Sequence, residues 1–343
     1  MKKIVAAIVG LLLVSSHLCS QTGNAQQYKY VFTVSKDGTG DYKYIQDAID
    51  AMRVFPLAPI TLYIKNGVYN EKIELPDNNT DVTFIGESVD KTIISFNDYS
   101  GRGKLNTFTS FTAKISGNRF VAENITFANT AGPVGQAVAL YVDADKAVFK
   151  NCRFLGNQDT IYTGGESARQ YFVDCFIEGT TDFIFGPATA VFQNCTIRAK
   201  TNSFITAAST TAGKKFGYVF LDCKITADSS VTKVHLGRPW RAFSRTVFVR
   251  CDLPKQIAPE GWNNWSNPEN EKTAYYAEYK NTGEGANYTK RVTWSKQLTD
   301  KEAKEYTLEN IFAAASVVTT PAPDWFQQIR TKAFEWPTEK KDK

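Results

Sequence analysis

Phe149-Lys150-Asn151-Cys152-Arg153-Phe154 is the first of five segments that share the frame Phe-x-x-Cys-x-apolar. The other four begin at Phe172, Phe192, Phe220 and Phe248, and a looser copy without the cysteine begins at Phe120. Successive starts, counted from Phe120, are 29, 23, 20, 28 and 28 residues apart. Periods in this range are typical of stacked units, each of which cannot bury its apolar face alone.

Each unit has the pattern of short strands joined by turns. Apolar and polar residues alternate over β-branched and aromatic runs, and Gly, Asn, Asp and Thr lie between the runs. Helical periodicity is absent from roughly residue 60 to residue 255. We therefore predict an all-β fold, a parallel β-helix. The alternative is a β-sandwich, whose strands are also regularly spaced, but a sandwich gives no reason for one frame to recur five times.

A helix is predicted at the N-terminal end of the solenoid. Ile45, Ala48, Ile49 and Met52 recur at helical spacing, which indicates an amphipathic helix that covers the open first turn.

The C-terminal end is also expected to differ from the repeats. Residues 299–315 and 323–335 have partly helical patterns and should pack back onto the last turns. We place the β-helix domain at residues 28–325, followed by a C-terminal helical segment and polar tail at 326–343.

The chain begins with a segment typical of protein export. Two lysines follow Met1, and an apolar run of about 11 residues then ends at Val14, too short to span a bilayer. We predict a signal peptide over residues 1–25, cleaved after Ser20 or Ala25, and a secreted or periplasmic protein. Cys19 allows a lipoprotein anchor instead, but the residue before it fits that alternative poorly.

Net charge and hydropathy exclude some classes of partner. Residues 1–25 contain two lysines and no acidic residue, so their removal lowers the formal net charge from +5 to +3. This is too small to indicate nucleic-acid binding. No second apolar stretch is long enough for an integral membrane helix.

Five cysteines remain after Cys19, and all occupy the same place in the repeat. Export permits disulfides, and equivalent positions on adjacent turns lie about 5 Å apart, within the Cα range of a disulfide. The alternative is an inward ladder of free thiols that act as small buried hydrophobic groups. No pair has C-x-x-C spacing, so no zinc site is predicted.

The sequence has too few histidines for most catalytic or metal-binding sites that depend on this residue. The chain has two histidines, His17 and His235, and the first lies in the signal segment. A site of several histidines on zinc is therefore excluded, and no Gly-x-Ser-x-Gly elbow accompanies His235. Carboxylates remain as the candidate nucleophile and acid.

Asp159 and Asp182 are the candidate pair. Each lies seven residues after a repeat cysteine, and the two are 23 residues apart, so they should stack on neighbouring turns. Paired carboxylates can be driven to different pKa values, which allows one to act as nucleophile and the other as proton carrier. Gln136 lies 22 residues before Gln158, so amide donors recur at a similar phase. The alternative is that these Asp and Gln side chains only fill turns or ladders.

Six segments in order resemble those of the pectinesterase (pectin methylesterase) family, in particular its secreted bacterial members. The segments are Gly67–Glu71, Asn129–Pro133, Gln136–Leu140, Gln158–Tyr162, Asp182–Gly186 and Leu236–Trp240. Two departures are small, because Ile161 replaces the usual Leu and Thr181 stands where Val is common, and neither changes a reacting group.

The resemblance implies a single-stranded right-handed parallel β-helix and hydrolysis of the C6 methyl ester of galacturonic acid in pectin (homogalacturonan). The products would be methanol and demethylated pectin. It further implies no cofactor and no metal, a monomer, and a polysaccharide rather than a nucleic acid as partner.

Roles for the polar residues also follow from the resemblance. Asp182 would be the nucleophile and Asp159 the general acid, later the base. Gln136 and Gln158 would stabilise the tetrahedral oxyanion. Arg238 would keep Asp182 ionised.

The resemblance also implies substrate contacts. Arg238 and Trp240 would line the substrate groove, with Trp240 stacked on a sugar ring. Thr107 and Gln136 would also contact the substrate, and Phe185 would face either the sugar or the core. From the residues alone, Trp240 could equally pack in the core and Arg238 could form a surface ion pair.

Family members with a bridge at the corresponding place imply a disulfide between Cys175 and Cys195, the shortest interval in the ladder at 20 residues. Three thiols would then stay free. Five reduced, buried cysteines remain the alternative.

Two rival functions remain open. One is another pectin-active β-helix, a lyase or a glycosidase, although a calcium-dependent lyase would need a carboxylate cluster and a basic proton abstractor. The other is a noncatalytic carbohydrate-binding solenoid, which would tolerate loss of Asp182.

Overall fold

The computed structural model describes residues 28–314, 325–327 and 335–337. The expected signal peptide and most of the C-terminal tail lie outside these residues. Within them, all the strand pairs in the three sheets are parallel, and consecutive strands pass from one sheet to the next except at the two ends of the solenoid.

The three sheets form the faces of the solenoid. Sheet A consists of β1 Val31–Val34, β2 Ile60–Ile64, β5 Val82–Gly86, β8 Val121–Glu123, β11 Ala147–Lys150, β14 Arg169–Val173, β17 Thr189–Gln193, β20 Tyr218–Leu221, β23 Arg245–Val249, β24 Tyr275–Tyr279 and β25 Lys296–Gln297. Sheet B consists of β3 Gly67–Asn70, β6 Thr92–Phe96, β9 Thr126–Asn129, β12 Arg153–Leu155, β15 Phe176–Gly179, β18 Thr196–Ala199 and β21 Lys224–Ala227. Sheet C consists of β4 Ile73–Leu75, β7 Ala113–Ile115, β10 Leu140–Val142, β13 Ile161–Thr163, β16 Ile184–Gly186, β19 Phe204–Ala208 and β22 His235–Pro239.

This order is that of a parallel β-helix, so the predicted fold is confirmed and the sandwich alternative is wrong. Parallel connections of this kind are right-handed in nearly all proteins. Each turn adds one strand to each sheet, which places residues about 20 to 30 positions apart side by side.

The repeated phenylalanine forms a ladder inside the solenoid. Phe149, Phe172, Phe192, Phe220 and Phe248 are each paired in register with the next and are fully buried. Their rings stack almost in parallel, with centroids 4.3 to 4.9 Å apart. This distance equals the strand spacing of about 4.8 Å, so identical residues at one position satisfy both the backbone and the side chains.

The third position of the frame turns the corner from sheet A to sheet B. At this position the backbone has a positive φ between 48° and 55° in all five copies that contain the cysteine. Asn and Asp tolerate this left-handed conformation better than other non-glycine residues, which explains why they dominate there. The residues are Asn151, Asp174, Asn194, Asp222 and Arg250.

The structure does not have the disulfide predicted between Cys175 and Cys195. The five cysteines after Cys19 are free and buried. Cys175 Sγ lies 3.3 Å from the carbonyl oxygen of Phe149, and Cys195 Sγ lies 3.5 Å from that of Phe172. Each thiol therefore donates to a carbonyl of the preceding turn, and the alternative of a free inward ladder is the one observed.

The predicted N-terminal helix is present as α1, Ile45–Asp50. Ile45, Ala48, Ile49 and Met52 are buried in the same core cluster as the sheets. Glu71 Oε2 accepts hydrogen bonds from the first backbone N–H groups of the helix, at 2.8 and 3.1 Å, so a carboxylate from the solenoid caps the helix and complements its dipole.

Among the described residues, three further helices follow the repeats, and the last of them packs against the outside of the solenoid midway along sheet A. α2 is Glu269–Thr273, α3 is Asp300–Ala303 and α4 is Leu308–Ala314, so the helical pattern over 299–315 is confirmed. Of residues 323–335, the structure describes a short 3-10 turn, Trp325–Gln327. Phe312 and Phe326 pack against Tyr171 on the outer face of sheet A. No helix among the described residues has the length and apolar composition needed to cross a membrane.

Candidate active site

The two candidate carboxylates lie at the edge of sheet C, each just before a strand. Asp159 precedes β13 and Asp182 precedes β16, and both have a positive φ, 64° and 50°. Their backbone N–H groups donate to the next turn, from Asp159 to Thr181 O at 3.1 Å and from Asp182 to Phe204 O at 2.8 Å. Such backbone strain tends to persist where surrounding contacts over-determine it, often at functional sites.

The two glutamines stack in the same way one turn earlier. Gln136 and Gln158 form a parallel bridge, and the N–H of Ala137 donates to Gln158 O at 3.1 Å. The chain therefore places two amides and two carboxylates on adjacent turns, as the spacing predicts.

These residues line one pocket with a volume of about 250 Å³. All eight residues expected to act on or contact the substrate lie around it, namely Thr107, Gln136, Gln158, Asp159, Asp182, Phe185, Arg238 and Trp240. The remaining lining residues are Phe108, Ala207 and Trp265.

Arg238, on β22, forms a two-point ion pair with Asp182. Its Nε lies 2.9 Å from Oδ1 and its Nη2 lies 2.7 Å from Oδ2. The Asp182 side chain is 7% exposed and that of Arg238 is 21% exposed, so this is not the surface ion pair considered as the alternative. Bidentate charge-assisted pairs fix orientation as well as charge.

The surroundings of the two carboxyl groups in the pocket act differently on their pKa values. Burial raises the pKa of Asp159 to about 8, with a further rise from the charge of Asp182, and Arg238 opposes this only weakly. Burial also raises the pKa of Asp182, but here the hydrogen bonds and charge of Arg238 oppose it. The guanidinium thus lowers the Asp182 pKa as expected, but burial outweighs it and the net direction is upward. Because the guanidinium pairs with Asp182, the pair's proton resides on Asp159.

Aromatic side chains form the apolar part of the pocket. Phe185 is 4% exposed and belongs to a small cluster on the outer face of sheet C, apart from the core of the solenoid. The half-buried Trp240 contacts it edge to face, with ring centroids 5.9 Å apart. Trp240 is therefore not a core residue, and its remaining surface faces the pocket.

Thr107 and Phe108 lie on the opposite lip, in the 3-10 turn Thr107–Thr109. Asn106 caps this turn by accepting hydrogen bonds from Phe108 N and Thr109 N at 2.9 and 3.2 Å. Phe108 is 41% exposed, and its ring meets that of Tyr162 at 5.1 Å.

Sequence reasoning missed Phe108, Ala207 and Trp265 as lining residues. Trp265 lies in a loop with a φ of 61° and packs on the Arg238 guanidinium at 3.8 Å. It stands outside the repeats, so no spacing predicts its place. Phe108 adjoins Thr107, and that proximity was its only signal in the sequence.

The remaining histidine is not among the residues that line the pocket. His235 stacks on Phe204, with ring centroids 5.2 Å apart. Within the described part of the chain, no group of three or more His, Cys, Asp and Glu side chains is arranged to hold a metal ion.

Comparison with known proteins identifies the family. Residues 31–315 match the family model described as Pectinesterase. The chain belongs to the pectinesterase family. The resemblance read from the six sequence segments is confirmed.

Relatives of known sequence and structure agree with this membership. A probable pectinesterase/pectinesterase inhibitor 23 of Arabidopsis thaliana is 42% identical over 84% of this chain, which spans about half of that relative's length, 53%. The pectin methylesterase from carrot is 37% identical, with a TM-score of 0.79 over 84% of this chain and 94% of the carrot chain. A pectin methylesterase solved in complex with a hexasaccharide is 31% identical, with a TM-score of 0.72 over 87% of this chain and 99% of the other. The similarity to pectinesterases thus extends over nearly the whole β-helix.

Proposed function

We propose that this protein hydrolyses C6 methyl esters of galacturonic acid in pectin, with Asp182 as nucleophile and Asp159 as general acid and base. The observation that carries this proposal is the bidentate pairing of Arg238 with Asp182, but not with Asp159, in one pocket with two glutamines. The hexasaccharide complex of a related pectin methylesterase supports an oligosaccharide as the bound molecule.

The first half of the reaction forms an acyl-enzyme. Asp182 Oδ attacks the ester carbonyl carbon, and the carbonyl oxygen takes up negative charge. The side-chain amides of Gln136 and Gln158 donate hydrogen bonds to this oxyanion. Asp159 then gives its proton to the departing methoxide, so methanol leaves and a mixed anhydride joins Asp182 to the sugar.

The second half restores the enzyme. Asp159, now a carboxylate, removes a proton from water as the water oxygen attacks the sugar acyl carbon. The anhydride bond breaks, Asp182 regains its carboxylate beside Arg238, and Asp159 is again protonated. One ester and one water are thus converted into one carboxylic acid and one methanol, with no redox step.

Replacing Gln136 or Gln158 by alanine should lower kcat more than it raises KM. Each amide meets full negative charge only in the transition state, and removal of one such donor typically costs about 10²–10³ in rate. Steady-state methanol release by both variants checks this. A rise in KM with kcat unchanged would make the glutamines ordinary substrate contacts.

A paired assay separates the proposed function from its rivals. Purified protein is incubated with highly methylated pectin, and methanol, new reducing ends and unsaturated ends are measured together. An esterase releases methanol alone, whereas a glycosidase produces reducing ends and a lyase produces unsaturated ends. A protein that binds pectin without producing any of the three would be a noncatalytic solenoid, and that result would overturn the proposal.

We also propose that the mature protein is exported and acts as a monomer on the polysaccharide. The basic and apolar N-terminal segment supports export, and an extracytoplasmic location suits a polymeric substrate. Mass spectrometry of the exported protein tests cleavage after Ser20 or Ala25, and sedimentation tests the oligomeric state.

A further inference from the structure

The Arg238 guanidinium is enclosed by two aromatic rings as well as by Asp182. Its central carbon lies 4.0 Å from the ring centroid of Phe204 and 3.8 Å from that of Trp265. Both rings therefore pack against the guanidinium, while its Nε and Nη2 edge is bonded to Asp182. Arginine stacks on aromatic rings through cation–π attraction and contact area.

Phe204 holds both members of the ion pair. Its backbone oxygen accepts the hydrogen bond from Asp182 N at 2.8 Å, and its ring supports Arg238 from β22. The Phe204 ring also stacks on His235, with which Phe204 is paired in register. The ring thus contacts two side chains of the adjacent strand.

Phe204 is not one of the residues that line the pocket, whereas Trp265 is. A change at Trp265 would therefore alter substrate contacts together with the arginine. A change at the half-exposed Phe204 reaches the chemistry only through Arg238 and Asp182, and it removes little from the core of the solenoid.

We propose that Phe204 is a positioning residue that, with Trp265, clamps the Arg238 guanidinium in the orientation that pairs with Asp182. The proposal rests on the proposed function. The two rings would hold Arg238 at the stage of the reaction when the ion pair with Asp182 cannot. In the acyl-enzyme the Asp182 carboxylate has lost its charge, so its attraction for Arg238 is weakest at that stage. The two rings keep the guanidinium in place until Asp182 is restored.

Phe204→Leu should lower kcat for methanol release by about three- to tenfold, the range expected when one cation–π contact is lost, and leave KM within about twofold. Phe204→Tyr keeps the aromatic face and should retain the wild-type rate. Phe204→Met is a second variant without a ring, used if the leucine variant folds poorly. Phe176→Leu is the matched control, because Phe176 supports Arg153 on sheet B at 5.2 Å, away from the pocket.

A titration of the Asp182 carboxyl tests the clamp without relying on activity. The charged groups that act on Asp182 are Arg238 and Asp159, and the buried Tyr276 is near enough to feel its charge. Carbon-13 NMR of aspartate-labelled protein, assigned with Asp182→Asn, follows the carboxyl signal with pH. A loosened guanidinium stabilises the carboxylate less, so the Asp182 pKa should rise in Phe204→Leu and Phe204→Met but not in Phe204→Tyr or Phe176→Leu.

The two readouts keep the clamp and the proposed function apart. A wild-type protein that releases no methanol would overturn the proposed function, while the titration would still decide the clamp. An unchanged Asp182 titration in Phe204→Leu, or an equal loss of kcat in Phe204→Tyr, would overturn the clamp. A rise in KM with kcat unchanged would identify Phe204 as a substrate contact and would also overturn it.

Discussion

Asp182→Asn should reduce methanol release by about 10⁴-fold or more, since loss of a covalent nucleophile ranks among the largest single effects in hydrolases. Asparagine has nearly the same size and can keep the backbone hydrogen bond to Phe204, but its amide cannot form the acyl intermediate. The rate is measured from methanol released by methylated pectin, with enzyme added in excess to detect residual turnover.

Asp174→Asn provides the matched control for this variant. Asp174 lies at a corner of the same turn with a φ of 55°, a conformation that asparagine also adopts, and it is exposed. Its variant should keep the wild-type rate, and both proteins should show native circular dichroism. An Asp182→Asn protein within about tenfold of the wild type would contradict the nucleophile assignment.

Asp159→Asn should reduce turnover of the methyl ester by about 10²–10⁴-fold, the usual contribution of a positioned general acid and base. The physical reason is the leaving group, because methoxide is a strong base and departs slowly without a proton. A nitrophenyl ester of the same sugar acid needs no such help, so its first turnover should survive. Rapid mixing should therefore give a burst of nitrophenol near one equivalent, followed by slow release, because Asp159 is also needed for attack by water.

The same burst should be absent from Asp182→Asn, which makes the two variants controls for each other. Equal losses on the methyl and nitrophenyl esters by Asp159→Asn, without a burst, would show that Asp159 acts in some way other than proton transfer to the leaving group. His235→Ala should keep substantial activity, because His235 lies behind Phe204 and does not line the pocket.

The repeats predicted the fold because one frame recurs at the period of a turn. Phenylalanine at its first position stacks at the strand spacing, and Asn or Asp at its third position tolerates the left-handed corner. The state of Cys175 and Cys195 was not predictable from the same frame. Stacked positions are close enough for a disulfide, but in the structure the two thiols are free and each donates to a carbonyl of the preceding turn.

Site residues could be predicted from the sequence where they occupy equivalent positions in successive repeats. Asp159 and Asp182 are placed by their equal distance from the repeat cysteines. Arg238 and Trp240 could be placed through family resemblance but not through spacing. Phe204 and Trp265 could not be placed at all, because they meet Arg238 only through strand register and a loop outside the repeats.

The physical reason why one of the two carboxyl groups holds the proton could be found only in the structure. Both are buried, and without the family resemblance the spacing of the repeats gives no reason for one to hold the proton rather than the other. The bidentate bonds from Arg238 to Asp182, at 2.9 and 2.7 Å, break this symmetry. The neutral carboxyl is consequently Asp159, the residue that must deliver a proton.

The pH dependence of kcat/KM for methanol release tests this division of roles most directly. Asp159 must be protonated, and its pKa is raised to about 8, so activity should fall as the pH rises through about 8. Asp182 must be ionised, so activity should also fall at low pH, as the pH drops through the Asp182 pKa. The account predicts a bell-shaped profile whose basic limb is missing in Asp159→Asn. A wild-type rate that stays level or increases from pH 7 to pH 9, after subtraction of spontaneous ester hydrolysis, would contradict it.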